Sequence, residues 1–489
     1  MILTIDQGGQ GTKVSVYHQG RSIAEAFRAV HTSFPAPLFA EQNPTEVLQS
    51  IFDCFAALQK IDTFPIKQIA LATQRSSNLC WNLDTGNALT PIISWQDRRT
   101  ESDIQAYLPQ QTLIRKRTGL RLSPHYGATK FHYCLQHFPA VQDALRQEQL
   151  AWGPLSSFLI FQLTQERTFA CDPVNASRTL LYNPFLQDWD EELLQLFQLP
   201  RKALPAIYPN DACFGHLRWQ ERLVPLMLVE GDQPAALFAH GAPNPKACYI
   251  NIGTGAFLQR PISQADALRL STKSLIFLSG LALQKKNGET LFCLEGTLNG
   301  AAAALHWAAD YLQLDAKEME RIKTNWQFPR AIPQLFLNGI GGLGSPFWQA
   351  DFTSQWIAVT PAVPKLKSES IFAVLDSILF LIQANLIQME ELQPDMQTLY
   401  VSGGLSQMDK LCQALSNLSQ RNLIRRNNPQ ATSAGLARLC ELEVESDPNA
   451  LEENCDFHPT SDGQVEQEQW RHWMEEIRRA INEQKPRVS

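Results

Sequence analysis

The sequence predicts an α/β fold. Short β-branched runs bounded by glycine alternate with longer amphipathic segments, which is the pattern of strands and helices packed in layers. The chain also opens on a strand, a Gly-rich turn and a second strand, and repeats that arrangement about half the chain later. With 489 residues, of which 44% are hydrophobic and 19% charged, it has the apolar side chain for more than one core.

Ile2-Leu-Thr-Ile-Asp6-Gln-Gly8-Gly9-Gln10-Gly11-Thr12-Lys13-Val-Ser-Val-Tyr17 reads as a β-hairpin, its two runs flanking a glycine turn. Pro44–Gln59, Ser123–His137 and Asp190–Phe197 read as helices, and Pro65–Ala72 and Leu223–Val229 as buried strands. Ala247-Cys-Tyr-Ile-Asn-Ile-Gly253-Thr254-Gly255-Ala-Phe257-Leu-Gln259 starts the second half with another hairpin. There follow helix-like runs at Gly296–Tyr311 and Ser368–Met389, a strand at Thr398–Val401 and the pair Gly403-Gly404. A polar stretch near Ser446–Gly463 leads to Gln464–Gln484, amphipathic enough for a surface helix.

Composition excludes several function classes. Lys plus Arg is 42 and Asp plus Glu 49, so the net charge of −7 lacks the electrostatic footprint of a nucleic-acid binder; any polyanion is expected to be held by a local site. Ten cysteines scattered without a C-x-x-C pair suggest reduced, buried thiols, not a zinc cluster or disulfide framework. The N-terminus has no basic leader, and the longest apolar stretch, Ser370 to Met389, is interrupted by Asp376, Gln383 and Asn385, so a cytoplasmic protein without membrane insertion is expected. A homo-oligomer is compatible with these features.

The Gly-rich loops carry the strongest chemical signal. Gly8 to Lys13 offers bare amides, a hydroxyl and an ammonium in one turn, donors suited to phosphate oxygens, although G-x-x-x-x-G-K-[ST] is not satisfied. Standing alone, such a turn is more often simply a hairpin turn; its echo at Gly253-Thr254-Gly255 favours two grips on a polyphosphate. Gly339-Ile-Gly341-Gly-Leu-Gly344 matches G-x-G-x-x-G, but Ser345-Pro346 follows and opens no helix, which excludes a dinucleotide fingerprint. Gly231-Asp232 ends an apolar run before a helix, so Asp232 is either an N-terminal cap or a general base at a strand end. Gln74-Arg75-Ser76 and Trp95-Gln96-Asp97-Arg98-Arg99 combine planar and cationic groups suited to hydroxyls; a core tryptophan beside surface ion pairs is the plainer alternative. The histidines show no metal-ligand spacing, and no G-x-S-x-G elbow occurs.

Taken in order, these segments resemble the FGGY carbohydrate kinases, the glycerol kinases foremost. The likeness runs through Ile5-Asp6-Gln7-Gly8, Gln74-Arg75, Trp95 to Arg99, Thr118-Gly119-Leu120 with Ser123-Pro124 and Ala128-Thr129-Lys130, Asn175 to Thr179, Gly231-Asp232-Gln233, Gly253-Thr254-Gly255, Gly342 to Trp348 and Ser402-Gly403-Gly404. It implies a two-lobed actin/hexokinase-like (ribonuclease H-like) fold with the active site in the interlobe cleft. The lobes would be residues 1–241, with the acceptor site and first phosphate loop, and 242–445, for the nucleotide, followed by a tail at 446–489. The implied reaction moves the γ-phosphate of ATP, with Mg²⁺, to a hydroxyl of a small polyol or sugar. Asp232 is the implied base, and Asp6 with Asp232 the implied metal carboxylates. Gly8, Gly9, Gln10, Gly11, Thr12, Lys13, Gly253, Thr254 and Gly255 would hold phosphates, and Gly403 and Gly404 would approach the adenine. Arg75, Ser76, Trp95, His125, Gln233 and Phe257 would line the acceptor pocket.

Three departures bear on the acceptor and on activity. Ser76 stands where glycerol kinases carry a glutamate, His125 where they carry a tyrosine, and the first loop, Gly8-Gly9-Gln10-Gly11, lacks two hydroxyl donors of the family pattern. A hydroxyl site without one of its partners loses specificity strongly, which keeps pentulose or tetritol kinases of the same family open beside glycerol. The altered loop keeps open a catalytically weak sugar- or nucleotide-binding sensor.

Overall fold

The computed structural model describes residues 1–59, 65–273, 276–331, 334–358, 366–426, 430–441 and 454–484. They pack as two units: Met1–Pro243, Ile262–Cys293 and Gln430–Leu451 in one, and Asn244–Pro261, Leu294–Pro429 and Glu452–Ser489 in the other. The chain therefore enters the first unit three times. The tail expected from 446 begins at 446–453 and ends at 485–489, both outside the described residues.

In the first unit the opening hairpin forms as its alternation dictates. β1 (Ile2–Gln7) and β2 (Gly11–His18) pair antiparallel, with Asp6 opposite Lys13, and β3 (Arg21–Ala29) continues the meander. β4 (Gln68–Thr73) lies parallel to β1, and β5 (His216–Trp219) and β6 (Arg222–Gly231) complete the order β3-β2-β1-β4-β6-β5. Both faces of this sheet are covered, which is why its central strands read as near-continuous apolar runs. Leu3, Ile5, Val14 and Val16 pack with Val47, Ile51 and Phe55 of helix Pro44–Leu58, which Pro44 starts and Asn43 caps by accepting the Thr45 amide. On the other face, Ala70 and Ala72 are small enough for helix Ala431–Glu441 to approach through Leu436.

The second unit repeats the plan. β7 (Ala247–Ile252) and β8 (Ala256–Ile262) form the second hairpin, and β9 (Thr290–Leu298), β10 (Thr398–Ser402), β11 (Asn422–Arg426) and β12 (Asn454–Phe457) give the order β9-β8-β7-β10-β11-β12. Counted within its own unit, each sheet runs third, second, first, fourth, the first strand being antiparallel to the second and parallel to the fourth. The two related halves expected from the hairpins are thus present in the topology.

Helix Lys367–Leu392 is long and apolar enough by composition to cross a membrane, but it is the buried core helix of the second unit. Two of its three polar interruptions are paired there: Asp376 accepts from Trp326 Nε1 at 3.0 Å and from Arg330 at 2.7 Å, and Asn385 donates to the Ser345 carbonyl at 2.9 Å.

Several sequence expectations are corrected. Gly296–Leu298 belongs to β9, and the helix read from Gly296 starts only at Ala302, because the chain turns at Asn299–Ala301. The helix read from Ser123 starts at Gly127. Helix Gln464–Gln484 has its expected bounds but is more than a surface helix: Trp473 and Ile477 are fully buried, and Trp473 Nε1 donates to the Phe336 carbonyl at 2.9 Å. Of the ten cysteines seven are buried, and Cys213 alone is exposed.

Candidate functional site

The ends of three parallel strands assemble the polar groups of the first unit. The register sets Asp6 of β1 beside Ala72 of β4, and Ala72 beside Glu230 of β6. The chain just beyond each strand therefore emerges at one edge, as Gly8–Gly11 after β1, Gln74–Ser76 after β4 and Gly231–Asp232 after β6. This is where open α/β sheets present ligand-binding groups. Gly231 caps helix Asp232–Leu237, so Asp232 is its first helical residue, with Oδ1 accepting the Gln233 amide at 2.8 Å. The cap reading and the functional reading of Asp232 are thereby separated: the cap is the glycine.

The two aspartates feel each other. Burial and then the Asp232 charge push the Asp6 carboxyl up to about 7, against the pull of Lys13. Burial raises Asp232 as well, offset by Arg75, the Gln233 amide and Arg178. Both side chains keep some solvent contact while protein surrounds them on most sides.

Arg75 is 7% exposed and hydrogen-bonds Gln233 Oε1. It lies against Gly231, where a Cβ would come within 2.7 Å of Arg75 Cδ, so the glycine makes room for the guanidinium stem beside Asp232. Ser76 has φ +66°, and its buried Oγ has no hydrogen-bond partner. Trp95 and His125 lie edge to face at 5.9 Å, His125 and Tyr126 at 5.0 Å, and the Arg178 guanidinium is 5.2 Å from the Tyr126 ring. Burial, then Arg178, Lys130 and Arg75, hold His125 well below the usual imidazole range, so it is a neutral ring at physiological pH.

The first loop is held from outside. Gly8 N donates to Gly11 O at 3.0 Å, Val30 N to Gln10 O at 3.1 Å and Gln42 Nε2 to Gly9 O at 2.9 Å. Gln42 also accepts from Gln74 at 2.7 Å, which ties the loop to the strand end bearing Arg75. A Cβ on Gly9 would be 3.5 Å from both Gln74 Oε1 and Trp95 Nε1, so this glycine borders the aromatic wall. Gly11 is obligatory, since a Cβ there would be 2.5 Å from the Arg28 carbonyl. Lys13 shares the face of Asp6. Thr12 does not: its buried hydroxyl is 2.6 Å from that of Ser50 and so is turned away from the loop. The Gln10 side chain is exposed.

The remaining expected residues belong to the second unit. Gly253-Thr254-Gly255 turns between β7 and β8, with Gly253 N donating to Gly255 O at 2.8 Å; the Gly253 and Thr254 carbonyls accept amides of Ala301, Ala302 and Ala303 at 2.9 to 3.0 Å. A Cβ on Gly255 would be 2.5 Å from Leu298 O. Gly403-Gly404 follows β10, the parallel neighbour of β7, and Asn251 donates to Ser402 at 3.1 Å, so the two turns lie side by side. Gly403 has φ +92° and leaves no room for a Cβ beside Ile252, whereas the space beside Gly404 is open. Phe257 lies on β8, half-buried. Gly341 and Gly342 turn at φ +72° and +78°, ending in no helix, which agrees with rejecting the dinucleotide fingerprint.

Sequence reasoning did not single out Gln42 or Glu230, and it met Lys130 only within the run Ala128-Thr129-Lys130. Arg178 was visible in Asn175–Thr179, but Gln42 carries no pattern at all.

Two family models match: the N-terminal domain of the FGGY family of carbohydrate kinases over residues 1–238 and its C-terminal domain over 248–442. A glycerol kinase of Mycoplasmoides gallisepticum is 29% identical over 460 residues, covering 91% of this chain and 89% of that one. An apulose kinase of Pectobacterium atrosepticum is 30% identical over 458 residues, covering 90% and 88%. Among solved structures, Plasmodium falciparum glycerol kinase with ADP has the same fold, with a TM-score of 0.86 at 22% identity over 98% of each chain.

Proposed function

The chain belongs to the FGGY family of carbohydrate kinases, phosphotransferases with an alcohol group as acceptor, and on that premise we propose that it phosphorylates a hydroxyl of a small polyol or sugar other than glycerol, a tetritol or pentulose, at the expense of ATP. The observation that carries the reading is the convergence of Asp6, Arg75 and Asp232 at three adjacent parallel strand ends.

In this reading Asp232, ionised, takes the proton of the attacking hydroxyl as it bonds to the γ-phosphorus, and ADP leaves with the bridging oxygen. Arg75 and Gln233 orient the acceptor, and Trp95 and His125 flank its carbon chain. Backbone amides of Gly8–Gly11 and the Lys13 ammonium are the first unit's phosphate donors. Gly253–Gly255 and Gly403-Gly404 are the second unit's nucleotide groups. In phosphoryl transfer such positioning and charge stabilisation carry most of the catalysis.

The donor set fits Mg²⁺, which takes hard oxygen ligands from one or two carboxylates and completes its shell with phosphates and water. Asp6 and Asp232 are two such carboxylates, and a divalent cation would offset both the burial and the Asp232 charge that raise Asp6. When bound it supplies charge neutralisation to the phosphate oxygens. Both carboxylates act ionised, so activity is present above their pKa values and lost as pH falls through them. Raising Mg²⁺ from sub-saturating to saturating is expected to move the acid limb of the kcat/KM profile to lower pH; an unmoved limb contradicts the assignment of Asp6.

The test is ADP release by the purified chain with Mg²⁺ and ATP over glycerol, erythritol, D-ribulose and D-xylulose. Turnover with a tetritol or pentulose supports the proposal; Mg²⁺-dependent ATP binding with no turnover favours the sensor reading prompted by the altered loop. Ser76→Glu restores the carboxylate of glycerol kinases and is expected to raise kcat/KM for glycerol by about tenfold or more, the scale set by re-pairing a substrate hydroxyl. An unchanged value places the specificity elsewhere in the pocket.

A further inference from the structure

Two segments carry the aromatic walls of the proposed acceptor pocket, the turn Ser94–Trp95 and the turn Ser123–His125 before helix Gly127–His137. Neither is regular structure, so backbone hydrogen bonding within a strand or helix does not set the distance between them. A side chain behind the two turns spans them. Lys130, in the first full turn of that helix, is completely buried, and its Nζ donates to the Ser94 carbonyl at 2.7 Å and to the His125 carbonyl at 3.0 Å.

A buried amine is a costly way to fill space, and here it has no carboxylate of its own. Asp97, the acidic group that favours its charge, is already taken by Arg99 at 2.8 Å and by the Ala40 amide at 2.7 Å. Arg99 opposes the charge, the Cys134 thiol adds only a small favourable influence, and burial outweighs them all, bringing the Lys130 ammonium down to about 7. The loss of one proton leaves two N–H groups for two carbonyls, so the bridge holds in either protonation state.

We propose that Lys130 is a positioning residue for the acceptor: by tying the carbonyl that precedes Trp95 to that of His125, it fixes the spacing of the two walls between which the polyol or sugar is held. The bonds go to main-chain atoms, so what they fix is the path of the two turns, and through it the 5.9 Å edge-to-face contact of the rings. Lys130 itself touches neither acceptor nor ATP. The inference rests on the kinase reading and assigns part of its acceptor affinity to a residue behind the pocket.

Lys130→Met keeps the length of the side chain and removes both donors. In the full chain, with Mg²⁺-ATP and whichever of glycerol, erythritol, D-ribulose or D-xylulose wild type turns over best, the acceptor KM is expected to rise about tenfold or more, on the scale of losing bonds to buried carbonyls. The KM for ATP should stay within about twofold, a split that general loosening of the unit would not produce. If Lys130→Met does not fold, Lys130→Gln, which retains amide donors, carries the same comparison with a smaller rise. An active wild type whose variant keeps its acceptor KM, or raises both KM values together, overturns this inference alone; a wild type that turns over none of the four acceptors overturns the kinase reading and this inference with it.

Discussion

An Asp232→Asn variant is expected to lose a factor of about 10² to 10⁴ in kcat, the range over which a positioned general base contributes. The substitution keeps the shape of the side chain and an oxygen for the Gln233 amide, so helix Asp232–Leu237 should start unchanged. What it removes is the proton acceptor. Burial raises the Asp232 pKa in the folded chain, meaning that the ionised carboxylate is held there at some expense. Its removal should therefore leave thermal stability unchanged or slightly higher while activity collapses. It should also relieve Asp6, whose carboxyl Asp232 helps to raise, so ATP binding with Mg²⁺ is expected to persist. Loss of activity together with a fall in melting temperature would point instead to a structural role.

The second large effect is expected at a position with no chemistry. Gly435, in the middle of helix Ala431–Glu441, lies so close to helix Asp232–Leu237 that a Cβ would come 1.8 Å from the Ala235 carbonyl oxygen. The contact is with backbone, not with the end of a flexible side chain, so one helix must move. In an exposed helix, glycine to alanine ordinarily stabilises by up to about 1 kcal/mol. Gly435→Ala is expected to do the reverse, destabilising by about 3 kcal/mol as overpacking of a closed interface does. The shifted helix begins with Asp232, and a displacement of about 1 Å at a reacting group is enough for a loss of about 10²-fold in kcat. Melting temperature and kcat should fall together; a stabilised, fully active variant would contradict the packing described for this face.

Much of this was legible in the residues. The two hairpins, their glycine turns and the buried strands between them are local patterns, and alternation sets which residues of one strand share a face, although it is the register that places Lys13 beside Asp6. The same alternation shows what was misread: Thr12 precedes Lys13 in one strand, so if Lys13 faces the ligand Thr12 faces the other way, as its bond to Ser50 shows. The alanines after Gly300 suit a helix, but Leu294–Leu298 before them alternates as a strand, and the boundary depends on a turn that composition does not mark. Gly435 and the bridge made by Lys130 were not legible because their partners, Ala235 for one and Ser94 for the other, are distant in sequence. So was the return of the chain to the first unit at Gln430: Ala434 and Ala437 mark a close approach only once Ile2 and Tyr17 are known to lie opposite, and Leu436 only once the alanines of β4 are.

The central claim is that the strand-end cluster moves a phosphoryl group from ATP to a hydroxyl. ³¹P NMR of the purified chain with Mg²⁺, ATP and erythritol, D-ribulose or D-xylulose tests it most directly. The predicted result is a new phosphate monoester resonance growing in step with ADP in the wild type and absent with Asp232→Asn. ADP appearing with inorganic phosphate alone, or a monoester formed equally well by the variant, would contradict it.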